Sequence, residues 1–438
     1  MNENLINENN MRLQEYLENT SANNDREEKK YLFVSGDISG IQKYSYSINN
    51  SNYAAKILNQ LNLADECKLM STGDKFLLLL PNISSTKDKL KIIRKEIDTE
   101  CIKKYFGELT ISISEGVEAS FNDLMQSKIE LLFRKIAQDA EAARQNKLST
   151  ILNTSEDFVL SGDYRNEIDT SYSVKKIFEE ISRPIKGAKY LAMFRANIDN
   201  LNYFLSLELK KGITIYKYTE LSRIINDFFT SGLNNFIEAD ARYKDIRIVF
   251  SRGDDICVVG HWDAIITFAV NFRSEFMKVI GVENKLTVSA GITLFRFNYP
   301  IEIAMDNAQE ALEMSKNNGK DSLTLFGETV KWEKLKELKK LWEKLDELLN
   351  EKDKKRKLSS HFVFGLLDYQ KRYIDLSENS NYKQGNALWK SHLYYSLARR
   401  EQTYLKDMLE KSITDKTLKI PVTYALYKNK GEKKNGKN

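Results

Sequence analysis

The run Ser251-Arg252-Gly253-Asp254-Asp255 sets two adjacent carboxylates where two apolar stretches meet, Ile246-Arg-Ile-Val-Phe250 before it and Ile256-Cys-Val-Val-Gly260 after it. Apolar runs around a Gly-Asp turn read as a β-hairpin with acid groups at its tip. Paired carboxylates on a rigid hairpin can hold divalent cations against a triphosphate, the arrangement that nucleotidyl transfer needs. The same residues also suit an ordinary turn, because Gly and Asp are common at hairpin ends. Taken alone the motif favours the turn, and the remaining residues shift the balance toward chemistry.

The elements that position this hairpin come from a chain of 438 residues, long enough for several domains. Its composition, 42% hydrophobic and 29% charged, is that of a soluble globular protein. No apolar run reaches membrane-spanning length and the start is polar, so neither a membrane span nor a secretory signal is expected. Cys67, Cys101 and Cys257 stand isolated, which excludes a cysteine zinc ribbon and a disulfide framework and suits a reducing cytoplasm. His261, His361 and His392 are too dispersed to suggest a His/Asp metallohydrolase. A net charge of +5 permits a nucleic-acid partner without requiring one.

Residues 1–30 read as a polar leader without a nuclease domain. Tyr31-Leu-Phe-Val then opens a strand that runs into Gly36-Asp37-Ile-Ser39-Gly-Ile-Gln42. A helical pattern, two strands around Gly73-Asp74, a charged helix near 88–105 and a strand near 108–114 complete a β-α-β-β-α-β order over 31–124, that of a ferredoxin-like palm. Residues 125–187 read as a connector, helical at first and then polar. The same order recurs over 188–330, with a strand at 189–196 leading into Asn197-Ile-Asp199-Asn200-Leu201 and the Gly253-Asp-Asp hairpin at its centre. Two palms, each with a central Gly-Asp hairpin, form a weak internal repeat. From Trp332, apolar residues at three- and four-residue spacing predict a C-terminal helical bundle over 331–425, followed by a basic, disordered tail at 426–438. The fold class expected is α+β, two palms plus a helical bundle.

With these motifs in order, the chain resembles the large subunit of type III CRISPR effector complexes, in its Csm-type, III-A-like branch. The likeness is carried by Gly36-Asp-Ile-Ser-Gly-Ile-Gln42, Gly73-Asp-Lys-Phe-Leu-Leu-Leu-Leu-Pro-Asn82, Phe194-Arg-Ala-Asn-Ile-Asp-Asn-Leu201, Arg252-Gly-Asp-Asp255, Ser289-Ala-Gly-Ile292 and Lys316-Asn-Asn-Gly-Lys320. The resemblance implies facing palms that bind two ATP molecules with Mg²⁺ or Mn²⁺ and make cyclic oligoadenylate when target RNA pairs with the CRISPR RNA. It implies Asp254 and Asp255 as catalytic, metal ligation by Asp254, Asp255 and Asn197, and nucleotide contacts from Gly253, Arg252, Lys316, Lys320 and Asn200. In the first palm it implies Asp37, Ser39 and Gly73. The partners implied are crRNA, target RNA, the repeat-family subunit at the 5′ handle and the helical small subunit, in the cytoplasm and with no membrane.

Four departures stand out. The HD nuclease is expected to be absent, the connector lacks cysteines and therefore zinc, Arg252 replaces the first glycine of the hairpin motif, and Asn197 replaces a metal-binding aspartate. A neutral amide is a poorer partner for a hard cation than a carboxylate. Asp199, two residues on, could share a strand face with Asn197 and substitute for it, or cap the following helix, the better expectation. Arg252 could fill the ATP pocket, pair with Asp254 or Asp255, grip a phosphate, or point to solvent. Lys316 could contact a triphosphate or be a solvated lysine near a helix end. The function expected is an RNA-binding CRISPR subunit with a degenerate cyclase site, the alternative being an active cyclic-oligoadenylate synthetase. A stand-alone nucleotide cyclase is disfavoured, since it needs neither the first palm nor the helical bundle.

Overall fold

The computed structural model describes residues 27–40, 50–72, 75–105, 109–124, 128–147, 188–211, 214–281, 286–378 and 384–430. The polar half of the connector, most of the leader, the tail beyond 430 and Gly73 lie outside the described residues. Among the described residues no helix is long and apolar enough to cross a membrane.

The first sheet comprises β1 (Tyr31–Ser39), β2 (Lys68–Thr72), β3 (Lys75–Pro81), β4 (Thr110–Ile113) and the short β5 (Val117–Ala119). Its order β2-β3-β1-β4, with β5 also on β1, and antiparallel pairing throughout are those of a ferredoxin-like palm. Alternation along β1 divides the core. Leu32, Val34 and Ile38 face α1 (Asn50–Leu61) and α2 (Ser84–Tyr105), whose Ala54, Ile57, Ile93 and Ile97 are buried with them. Tyr31 and Phe33 face the other way, into a second cluster. There they meet Ile129, Leu132 and Ile136 of α3 (Ile129–Gln145). The helix expected at the start of a connector is thus packed on the first sheet.

The second sheet runs β11-β10-β9-β6-β8-β7, from β6 (Leu191–Ile198), β7 (Arg247–Arg252), β8 (Asp255–His261), β9 (Val288–Phe295), β10 (Ser322–Leu325) and β11 (Glu328–Lys331). Strands β7-β8-β6-β9 repeat the palm order, and β10 adds in parallel to β9. Helices α4 (Leu201–Lys210), α5 (Ile215–Asp227) and α6 (Trp262–Phe276) line the even-numbered face of β6, where Phe194 meets Phe268 and Phe272 edge-on. The odd-numbered face carries Leu191, Met193, Cys257 and Val259 and is covered by α7 (Ile301–Asn317) through Ala304, Met305 and Ala308. That helix sits close because β9 has Gly291, where a Cβ would stand 2.3 Å from the Leu312 backbone nitrogen.

The two sheets share one core. Phe133 of α3 lies 4.7 Å, ring to ring, from Tyr218 of α5, whose hydroxyl donates to the Met70 sulfur on β2 at 3.1 Å. The C-terminal helices α8 (Trp332–Leu349), α9 (Ser360–Glu378), α10 (Trp389–Ala398), α11 (Lys406–Thr414) and α12 (Lys419–Lys428) bury a leucine-rich cluster of their own. They are anchored to the second palm by the Trp332 indole donating to Val288 O at 2.7 Å, by Tyr424 packed edge-on against Trp262 at 5.2 Å, and by the Tyr424 hydroxyl on Asp263.

Candidate nucleotide site

The hairpin expected at Arg252–Asp255 is formed. Arg252 and Asp255 close it as the last ladder pair of β7 and β8, and Gly253 turns it with φ +53°, which glycine adopts without a Cβ penalty. The side chain of Arg252 lies outside the described residues. The Ile198 backbone N–H donates to Asp254 O at 3.0 Å, tying the tip to the end of β6.

Register brings Asn197 directly opposite Asp255 on one side and Ser289 on the other. Opposed residues of an antiparallel pair share a face, so Asn197, Asp255 and Ser289 form one row across the three central strands. One row further in, Arg195 stands on the same face of β6. Its Nη2 donates to Asp255 Oδ2 at 2.9 Å, and its guanidinium lies 5.2 Å from the Phe250 ring centre. Burial opposes the arginine's charge, but the Asp255 carboxylate outweighs it and holds the guanidinium above its ordinary pKa. Among the described side chains, the arginine that pairs with the hairpin is Arg195.

Asp199 engages the interior of the fold rather than, in the main, capping the following helix. It is 4% exposed; Oδ1 accepts from Ser289 Oγ at 2.6 Å, while Oδ2 accepts from Thr287 Oγ1 at 2.8 Å and the Asp321 N–H at 3.0 Å. The carboxylate lies past the strand end, where β9 and the loop after α7 converge on it, and these donors outcompete the cap. It ties β6 to β9 and to the loop carrying Lys320.

That loop is unusual in its backbone. Gly319, Lys320 and Asp321 all take positive φ, +88°, +56° and +44°, and Asn200 across from it does too, at +56°. The Lys320 ammonium donates to Asn200 Oδ1, and Asp321 pairs with Arg273 at 2.8 Å. Lys316 closes the last turn of α7, 3.7 Å from Glu313, which is near enough to Arg195 to act on its charge. Lys320 and Asn200 are thus brought together, and α7 brings Lys316 to the Arg195 side of the sheet.

In the first palm, Asp37 and Ser39 share one face of β1. Asp37 is 6% exposed and accepts from Arg144 Nη1 of α3 at 2.9 Å, a partner that sequence reasoning missed because it lies 107 residues away. The two palms therefore each set an arginine against an acidic residue of the expected nucleotide sites.

The donors on the second-palm row fit a pair of divalent cations poorly. Asn197 is neutral and Asp255 is charge-compensated, which lowers the attraction of this row for cations. No group of three or more His, Cys, Asp or Glu residues arranged to hold a metal occurs among the described residues. Cys67, Cys101 and Cys257 are buried and unbridged, and burial pushes the thiols of Cys101 and Cys257 up to about 12.

Comparison with known proteins places these features. Residues 190–324 match the family Cas10/Cmr2, second palm domain, and residues 50–161 match Csm1 subunit domain B. The chain is 27% identical over 315 residues to the CRISPR system single-strand-specific deoxyribonuclease Cas10/Csm1 (subtype III-A) of Streptococcus thermophilus, covering 69% of this chain and 38% of that protein. To the protein of the same description from Methanocaldococcus jannaschii it is 25% identical over 274 residues, 58% of this chain and 32% of the other. The chain thus spans about a third of the length of these curated relatives. In fold it is similar to a Csm1-Csm4 cassette in complex with cA4, with TM-score 0.70 and 18% identity over 92% of this chain and 70% of that one. A Csm1-Csm4 cassette in complex with one ATP aligns with TM-score 0.69 and 18% identity over 91% and 70% of the two chains.

Proposed function

The chain belongs to the Cas10/Csm1 family of type III CRISPR subunits, and from that premise we propose that it is an RNA-contacting large subunit of a III-A-like effector complex whose cyclase site is degenerate. The observation that carries the reading is Asn197 facing an Asp255 already paired with Arg195. Transfer of a nucleotidyl group through two cations depends on carboxylate charge that gathers the ions and offsets the repulsion around a triphosphate. A neutral amide and a compensated carboxylate weaken that attraction at the point where it is needed. The described strands and helices around the site keep the palm order, which suits a part retained for assembly.

In this reading the palms span 31–124 and 188–330, joined through 125–187, and the bundle over 331–425 lies along the crRNA–target duplex. The partners are the repeat-family subunit holding the 5′ handle and the helical small subunit. Support for the first comes from neighbours that are Csm1-Csm4 cassettes. Residual nucleotide contacts fall to Asp254, Gly253, Arg252, Lys316, Lys320 and Asn200, with Asp37, Ser39 and Gly73 in the first palm.

A second reading, an active target-triggered cyclic-oligoadenylate synthetase using ATP and Mg²⁺ or Mn²⁺, draws on the retained Asp254 and Asp255 and on neighbours bound to ATP and cA4. One experiment separates the two. The assembled complex with crRNA is given ATP and either cation, with and without matching target RNA, and products are read by mass spectrometry. No oligoadenylate from a complex that still binds target supports the degenerate site. Target-dependent product abolished by Asp255→Ala establishes the synthetase. Restoring Asn197→Asp together with Arg252→Gly should create or raise activity if the degeneration is correctly located.

A further inference from the structure

The chain is electrically divided. Residues 331–438 hold 26 Lys and Arg against 15 Asp and Glu, whereas residues 1–330 hold 41 against 47. The net positive charge therefore lies in the C-terminal quarter of the chain, and part of it gathers at one end of the helical bundle. There the C-terminus of α8, the exposed loop Lys352-Asp-Lys-Lys-Arg-Lys357, the start of α9, the end of α10 and the turn at 403–405 converge. The convergence is fixed by contacts: Gln402 donates to Arg356 O at 2.7 Å, and Arg356 pairs with Glu401 at 3.6 Å.

Aromatic rings are interleaved with these cations. Tyr404 is 54% exposed with the Lys344 ammonium 5.4 Å from its ring, and Tyr395 is 66% exposed with the Arg399 guanidinium 5.8 Å away. Arg400 lies 4.1 Å over the ring of Phe362. Tyr395 and Tyr404 thus present open ring surface directly beside cationic side chains. Rings stack on bases of any identity, while Lys and Arg beside them hold phosphates.

We propose that this end of the C-terminal bundle binds a single strand of nucleic acid, its phosphates held by Arg356, Arg399 and the 352–357 loop and its bases stacked on Tyr395 and Tyr404. The charge complementarity is to a polyanion, and the rings distinguish a strand with free bases from a duplex, whose bases are already stacked. The proposal rests on the reading of this chain as an RNA-contacting subunit but is tested apart from the cyclase.

The test uses the full chain and fluorescence anisotropy with labelled oligouridine and, separately, oligothymidine, at low and physiological salt. The wild type should bind with an affinity that falls as salt rises. Arg356→Glu with Arg399→Glu should weaken binding about tenfold or more and lower the log–log salt slope by roughly 1.4, two single-strand phosphate contacts. Tyr404→Ala should weaken binding by roughly fivefold or more with the slope unchanged, because stacking carries no counterion release. Binding of either probe through this face supports the proposal, tighter oligouridine binding assigning RNA. It is overturned if the chain binds neither probe, if Lys91→Glu with Lys95→Glu on α2 of the first palm weakens binding as much, or if the bundle variants bind normally but fail to join other CRISPR subunits, which would give the face to a protein. Loss of assembly or of target binding with oligonucleotide binding intact would fault the proposed function and leave this inference standing.

Discussion

Asn197 of β6 stands directly across the ladder from Asp255 of β8, and Arg195 on the same strand holds that aspartate. The charge which hairpin carboxylates ordinarily present outward is here directed sideways, into the sheet.

A double-mutant cycle measures that engagement. Arg195→Met should destabilise the chain by roughly 1–3 kcal/mol in urea unfolding, less than the ~3–5 kcal/mol of a fully buried pair because both side chains keep some exposure to water. Asp255→Asn should cost a similar amount, and the double variant clearly less than the sum, with a coupling of about 0.5–3 kcal/mol. Additive costs would mean that the pair contributes nothing.

Asp199 distinguishes structure from metal binding. Asp199→Asn removes the charge and one acceptor oxygen from a carboxylate that takes three hydrogen bonds, so it should cost about 1–3 kcal/mol in chelator-containing, metal-free buffer. A variant of undiminished stability that had lost cation affinity would reassign Asp199 as a ligand.

Packing of α7 on β9 makes a sharper demand. Gly291→Ala must push the Leu312 backbone away and should cost roughly 1–3 kcal/mol or more in thermal or urea unfolding. Gly365→Ala is its control: nothing lies within 4 Å in the interior of α9, so a gain of about 0.4–1 kcal/mol is expected.

Stability should also respond to acid through Glu337. Hydrogen bonds from Lys334 at 2.8 Å and Lys411 at 2.9 Å lower its carboxyl from 4.5 to about 2. A carboxyl depressed on folding stabilises the native state above its unfolded pKa, and that contribution fades as pH falls from about 4.5 toward 2. The stability gap between wild type and Glu337→Gln should thus be constant near neutrality and close across that window. Its size should be below about 1 kcal/mol, because the site is solvent-screened. A gap that widened on acidification would refute the assignment.

The palm repeat, the hairpin and the α8 leucine face were legible because each depends on local period: alternation in strands, three- and four-residue spacing in the helix. The row of Asn197, Asp255 and Ser289 was half legible, since motif order pointed to its members while register alone aligns them. Arg195, Arg144 and the engagement of Asp199 were not. Each is a contact between distant parts of the chain, and an arginine on a half-buried strand carries no local mark of the carboxylate it will meet. For Asp199 the helix-cap expectation was locally sound, and three donors delivered by β9 and the α7 loop overrode it.

The hydrophobic cluster that holds Tyr31 and Phe33 of one sheet also holds Phe194 of the other and Phe272 of the helix packed on it. Among the described residues these side chains form one continuous buried cluster, so opening one sheet exposes the apolar face of the other. The two should exchange amide hydrogens and melt as one cooperative unit. A disturbance at the first palm can therefore reach the second as displacement of a shared solid, without a hinge between them.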